Sequence, residues 1–210
     1  MPEIQQLKFV CTSDTHGKHS NLTVPEGDVF IFSGDMTNSG SDQAIMEFNT
    51  YLGTLSHKYK IVIDGNHDFG NNGHELITNA MLLHNSMVEI GHVKIWASSW
   101  SYRLSESIKR RNQKKNFDVW ESVPNGIDIL ITHIPPYGIK DLSASGKNIG
   151  SKSLLDAIKR IKPKYHIFGH AHQCYGISKN KIDNSDIIFI NSSAINEFSE
   201  ILNPPKVFTL

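Results

Sequence analysis

The sequence predicts an α/β fold, with largely parallel strands and helices packed outside them. Three observations carry this prediction. Short apolar runs rich in β-branched and aromatic residues recur at residues 7–13, 28–32, 58–63, 128–132, 165–168 and 187–190. Two segments with apolar residues at helical spacing lie between them, one from Ser41 and one from Ser151 or Ser153. Five of the runs stop at a residue able to bind a metal, and open α/β folds hold their ligands beyond the carboxyl ends of their strands.

Taken in order, residues 7–13 form the first strand, centred on Phe9, Val10 and Cys11 and ending in Ser13-Asp14-Thr15-His16-Gly17. Residues two apart in an extended segment point the same way, so Asp14 and His16 can face one point in space. The second strand, residues 28–32, ends in Ser33-Gly34-Asp35. Ser41 or Asp42 then caps a helix carrying Ala44, Ile45, Phe48, Leu52 and Leu55. The third strand, residues 58–63, runs into Asp64-Gly65-Asn66-His67-Asp68, where Gly65 permits a sharp turn. A short helix is expected at residues 74–83, and a hairpin turning at Gly91 joins residues 87–90 to 92–97. His74, His84 and His92 read as surface, loop or turn residues without a role.

Residues 101–116 are polar and read as partly helical. Lys109, Arg110, Arg111, Lys114 and Lys115 fall there, as a solvated helix face before a phosphate-steering patch. The strand at residues 128–132 ends in His133, and Pro135-Pro136-Tyr137-Gly138 forces a rigid turn. An exposed loop reaches Gly150. A helix with Leu154, Leu155, Ile158 and Ile161 follows, closed by Pro163. The strand at residues 165–168 ends in Gly169-His170-Ala171-His172, and the strand at residues 187–190 ends in Asn191-Ser192-Ser193. After Asn203-Pro204-Pro205 comes a last apolar run, Val207-Phe208.

The bulk numbers narrow the class. A chain of 210 residues is expected to form one domain, residues 1–210. Its formal net charge of +0 argues against general binding to bulk nucleic acid. Cys11 and Cys174 do not make a disulfide framework; Cys11 reads as a small buried residue and Cys174 as packing. The first eight residues lack a signal-peptide pattern, and no apolar run nears the ~18 residues of a membrane span. A reducing, cytoplasmic setting away from membranes is the expectation.

The strand ends supply Asp14, His16, Asp35, Asn66, His133, His170 and His172. A lone aspartate or histidine at a strand end usually caps a turn, but that reading is poor for seven at once. Two aspartates, four histidines and an asparagine suit a pair of divalent ions better than one, since a single zinc site needs only three or four ligands. Nitrogen and oxygen donors without thiolate fit manganese, iron or zinc. A shared carboxylate can hold such ions ~3.5–4 Å apart, where they clamp a phosphoryl group and acidify a bridging water. Beside them, His67 can move a proton or bind a metal, and Asp68 can orient a histidine. Asp64 reads as a strand-end residue rather than as a partner for a ligand histidine.

The blocks Asp14-x-His16, Gly34-Asp35, Gly65-Asn66-His67-Asp68, His133 and Gly169-His170-x-His172, in this order, resemble the calcineurin-like metallophosphoesterase signature. As a set they are specific, though each alone is weak. The segments around them, and the Asn203-Pro204-Pro205 tail, resemble the metallophosphoesterase-domain-containing branch over nearly the whole chain. The resemblance implies a four-layer αββα sandwich with two central mixed β-sheets. It implies one metal held by Asp14, His16, Asp35 and His172, and a second by Asp35, Asn66, His133 and His170. His67 would contact the phosphate and serve the leaving oxygen, positioned by Asp68. The chain departs from the branch at Gln173-Cys174 and across residues 101–116, both of which are expected near the pocket. It keeps His170, which implies a competent two-metal centre.

The function expected is metal-dependent hydrolysis of a small phosphorylated substrate. A nucleotide phosphodiester, cyclic or not, is the first reading, attacked by a metal-bridging hydroxide. A phosphomonoesterase or phosphoprotein phosphatase is the alternative, and a non-catalytic nucleotide-binding scaffold comes third. Phosphatases of this type grip phosphate with arginines, and no arginine lies in the motif blocks.

Overall fold

Two sheets packed face to face bury the apolar runs. The computed structural model describes residues 6–68, 73–99 and 119–210. The basic segment 101–116 and the side chain of His74 lie outside the described residues. The first sheet has the order β11-β1-β2-β3-β4, from Lys206–Thr209 (β11), Lys8–Thr12 (β1), Val29–Ser33 (β2), Tyr59–Ile63 (β3) and Met81–Leu82 (β4). Its strands run parallel except β11, which is antiparallel to β1. The second has the order β5-β6-β7-β8-β10-β9, from Ser86–Ile90 (β5), Val93–Ser98 (β6), Ile129–Thr132 (β7), Tyr165–Phe168 (β8), Ser185–Asn191 (β10) and Gly176–Ile182 (β9). Its four central strands are parallel, and β5 and β9 are antiparallel edges.

Strand alternation sorts the core into layers. Phe9, Cys11, Val29, Ile31, Ile61 and Ile63 meet Ile95, Ala97, Ile129, Ile131, Ile167 and Ile190 between the sheets. Val10, Phe30, Phe32 and Val62 pack instead with Ile45, Phe48 and Leu52 of α1 (Asp42–Thr54). After the one-turn helix α2 (Gly73–Leu76), the second sheet is covered in the same way. Trp96, Leu130, Phe168 and Phe189 pack with Leu154, Ala157, Ile158 and Ile161 of α3 (Lys152–Ile161). The layers are therefore α, β, β, α, as the family resemblance implied. Each large apolar side chain removed from water in this way contributes ~1.5–3 kcal/mol before chain entropy is charged against it.

Local signals explain the helix limits. Ser41 accepts a hydrogen bond from Ala44 N, and Ser151 from Leu154 N, so each satisfies one orphan donor of a first turn. Lys162 ends α3 in the left-handed region at φ 50°, its N–H bonded to the Ile158 carbonyl, and Pro163 follows.

One expectation changes, and one strand is added. The helix expected at residues 74–83 stops at Leu76, and Met81–Leu82 becomes a parallel edge strand, with Val62 opposite Leu82 and Leu83 N bonded to the Val62 carbonyl. Long-range pairing overrides local periodicity there. The hairpin partner of β10 carried no apolar run to announce it: β9 alternates Ile, Ser, Lys and Asn, and turns at Asp183 and Asn184, both at positive φ. No helix among the described residues is long and apolar enough to cross a membrane.

Candidate metal centre

The carboxyl ends of β1, β2 and β3 meet those of β7 and β8 at one rim, and this brings the seven candidate donors together. Asp14, His16 and His172 offer ligand atoms within 4.8 Å of one another, as do Asp35, His133 and His170. Asp35 stands between the groups: its Oδ2 lies 3.7 Å from His16 Nε2 and 3.3 Å from His133 Nε2. Asn66 joins the second group through Oδ1, 3.0 Å from His133 Nε2. His172 Nε2 lies 3.4 Å from Asp14 Oδ1 in the first. A ring nitrogen of His67 also falls within 4.8 Å of donors from His16 and Asp35.

The backbone bends sharply to achieve this. Asp14, His16, Asp35 and His170 all take positive φ, at 53°, 46°, 57° and 67°. Each such position costs a non-glycine residue ~1–3 kcal/mol, and a ladder of main-chain bonds imposes it. Asp14 N bonds to Gly34 O, His16 N to Asp35 O and Gly17 N to Met36 O, so the turns after β1 and β2 are stitched together. Glycine is required where these turns touch. A Cβ on Gly65 would fall 2.7 Å from Asp35 Cγ and closer still to its Oδ1, and one on Gly169 would overlap Asp14 Oδ2 and Ser13 Oγ.

The two sheets are sutured beside the site by residues that sequence reasoning passed over. Ser13 N bonds to Ser192 O and Ala194 N to Ser13 O across the sheets, while Ser192 N bonds to Phe168 O within the second sheet. Asn191 Nδ2 bonds to Ala171 O at 2.9 Å and so holds the loop bearing His170 and His172. In the sequence Asn191-Ser192-Ser193 reads only as a strand end, since neighbours in the other sheet are invisible to local pattern. Gln173 and Cys174, expected near the pocket, both bond to the Leu142 carbonyl.

Tautomers and charges follow from the partners. His133 Nδ1 lies 2.9 Å from the Ser33 carbonyl, which can only accept, so Nδ1 carries the hydrogen and Nε2 faces the other donors. Burial lowers the His133 pKa, but the Asp35 carboxylate outweighs it and raises it to about 10. Burial correspondingly raises Asp35, and the charge and hydrogen bond of His133 override that and hold it well below the usual carboxylate range. His170 is pushed down to about 4, first by burial and then by the charge on His133. Asp64 is pushed up to about 7 by burial and by Asp68.

These residues fit divalent cations. Asp14 is wholly buried and Asp35 is 1% exposed, and the negative charge of Asp35 acts on both Asp14 and Asp68. Such concentrated buried charge needs a counterion. His16 Nε2 is buried without a hydrogen-bond partner among the described residues, yet it faces the Asp35 carboxylate. That is the arrangement of a nitrogen lone pair reserved for a metal, and the mixed donors without thiolate suit manganese, iron or zinc.

One expected contact is absent. Asp68 does not hold the His67 ring. Its carboxylate accepts from Met36 N, Thr37 N, Thr37 Oγ1 and Gly65 N, whereas His67 Nδ1 lies 2.9 Å from the Asn38 carbonyl. The turn directs these two consecutive side chains to different partners. Thr37 and Asn38 thus join the site, and only their place just after Asp35 could have pointed to them.

Known proteins resemble this chain in sequence and in fold. The family model described as calcineurin-like phosphoesterase matches residues 7–174. A UPF0046 protein of Caenorhabditis elegans is 35% identical over 221 residues, covering 96% of this chain and 74% of that relative. Metallophosphoesterase domain-containing protein 1 of Homo sapiens is 31% identical over 236 residues, covering 97% of this chain and 71% of that protein. Among solved structures, the anchor in the inner membrane complex of Plasmodium shares the fold at a TM-score of 0.54 and 15% identity, over 98% of this chain and 81% of that one.

Proposed function

We propose that this chain, which belongs to the calcineurin-like phosphoesterase family, is a cytoplasmic phosphodiesterase acting on a small nucleotide phosphodiester. The observation that carries the reading is the convergence of two donor groups on Asp35, with His67 beside them. Asp14, His16, Asp35 and His172 would hold one divalent ion; Asp35, Asn66, His133 and His170 would hold the other. Two such ions supply polarisation of the phosphoryl oxygens and a water acidic enough to attack phosphorus.

The chain's own residues do the rest. Asp35 could serve both groups, since its Oδ2 faces His16 and His133, while Oδ1 accepts from His67 N at 2.8 Å. Asn66 and His67 contact the phosphate. His67 stabilises or protonates the leaving oxygen, with Nδ1–H held by the Asn38 carbonyl so that Nε2 is the nitrogen free to act. The diester preference rests on charge. A monoester dianion needs more cationic grip than a diester monoanion, and Arg160, the arginine among the described residues, is engaged with Asn125 and the Trp120 carbonyl. Free Cys11 and Cys174 accord with a reducing compartment.

The test is turnover of matched aryl phosphodiester and phosphomonoester substrates by manganese-loaded protein. Faster hydrolysis of the diester is expected. Preference for the monoester moves the assignment to a phosphatase, and a fully metallated protein inert on both is a scaffold.

A further inference from the structure

We propose that Asp68 is a positioning residue that aims the His67 imidazole indirectly, through the main chain of residues 36–38, with the Asn38 carbonyl as the contact to the ring. This rests on the reading above that His67 serves the leaving oxygen. Asp68, 5% exposed, spends its carboxylate on four donors: Met36 N at 3.2 Å, Thr37 N at 2.9 Å, Thr37 Oγ1 at 2.9 Å and Gly65 N at 2.8 Å. Three of the four belong to residues 36 and 37, so the loop after Asp35 is clamped to the turn that carries His67.

The clamp converges on Asn38 from both sides. The Thr37 hydroxyl donates its one hydrogen to Asp68 and accepts from Gly40 N at 2.8 Å, which fixes the chain before and after Asn38. The Asn38 side chain donates to the His16 carbonyl at 3.0 Å, a third anchor on the turn bearing Asp14 and His16. Its main-chain carbonyl is thereby held 2.9 Å from His67 Nδ1, while His67 N is held by Asp35 Oδ1. With two fixed anchors, ring and backbone, the imidazole has one orientation. A carbonyl accepts a hydrogen bond without taking the proton, so the ring cannot pass its Nδ1 proton on, and exchange is confined to Nε2. A carboxylate in the same place could take that proton; here the carboxylate is displaced to hold the loop.

The experiment compares wild type with His67→Ala, Asp68→Asn, Thr37→Val and Thr37→Ser. Thr37→Val removes the hydroxyl at constant shape and stands in if Asp68→Asn does not fold. The first readout is the zinc-loaded protein's imidazole Nδ1–H proton resonance for His67, assigned by its loss in His67→Ala. It is expected in wild type and Thr37→Ser, and shifted or exchange-broadened in Thr37→Val and Asp68→Asn at unchanged metal content. The second is turnover of two methyl aryl phosphodiesters with a good and a poor leaving group. His67→Ala is expected to lose ~10²–10⁴-fold on the poor leaving group and far less on the good one. Thr37→Val repeats that selectivity at smaller amplitude, and Thr37→Ser restores it. An unchanged resonance in Thr37→Val and Asp68→Asn overturns the positioning role, as does an equal loss on both substrates. If the resonance moves as expected but His67→Ala shows no leaving-group selectivity, the loop does orient the ring and the assignment of His67 to the leaving oxygen is what fails.

Discussion

Acid should destabilise this protein partly through one histidine that has no part in the site, His166 on β8. Its ring is fully buried beside Phe168, at 4.9 Å between ring centroids, and Phe189, at 5.8 Å. Its Nε2 lies 2.9 Å from Thr132 Oγ1, and that hydroxyl donates onward to the Ile134 carbonyl at 2.7 Å. Thr132 has therefore spent its hydrogen and accepts from Nε2–H, which leaves Nδ1 as the unprotonated nitrogen. Nδ1 is buried with no hydrogen-bond partner among the described residues. A second proton would place a charge and an unsatisfied donor among aromatic rings, and burial accordingly lowers the pKa to about 3.

The unfolded chain binds that proton near the ordinary value of ~6.5, so the native state holds fewer protons between about 6.5 and about 3, and stability falls as pH drops through that window. At pH 5 the expected loss is ~2 kcal/mol, from ~1.4 kcal/mol for each pH unit below 6.5. Urea unfolding from pH 7.5 to 5 reads it out as a midpoint lowered by roughly 1 M if the m-value is about 2 kcal/mol/M. His166→Gln keeps a donor for Thr132 and cannot titrate. Whatever it costs at pH 7.5, its pH dependence should be flatter than wild type by that ~2 kcal/mol. Parallel profiles for the two proteins would refute the account, because carboxylates elsewhere contribute equally to both.

Three further outcomes are expected. Gly65→Ala drives a methyl group into the Asp35 carboxylate and main chain; metal content measured by atomic emission should fall along with ~1–3 kcal/mol of stability. Manganese, iron or zinc at a hundredfold excess over its dissociation constant should raise the melting temperature by roughly 5–10 °C, reversibly with chelator, and a melting curve indifferent to all three metals would contradict the ligand sets. Ser151→Ala removes the cap on α3, which accepts from Leu154 N at 3.2 Å, and should cost ~1 kcal/mol in denaturant unfolding while sparing metal binding.

Legible in the chain alone were the strands that end at the rim, the two amphipathic helices and the seven candidate residues that the fold brings together there. Each of these is written locally, as β-branched runs, as helical spacing behind a serine cap, or as a polar residue where a strand must stop. What the tertiary structure decided depends on partners far apart in the chain. Residues 81–82 are a strand because β3 offers them an edge, although their own spacing resembled a helix. Residues 191–194 close the two sheets over the site because Ser13 and Phe168 stand opposite them. Asp35 faces two donor groups at once only because β1, β2 and β7 end at one rim. Adjacency misled at His67 and Asp68. Neighbours in sequence, they are fixed by different partners some thirty residues away: Asn38 for the ring, Thr37 and Met36 for the carboxylate. A sharp turn sends consecutive side chains in different directions, and hydrogen bonds form with whatever the folded chain sets within reach.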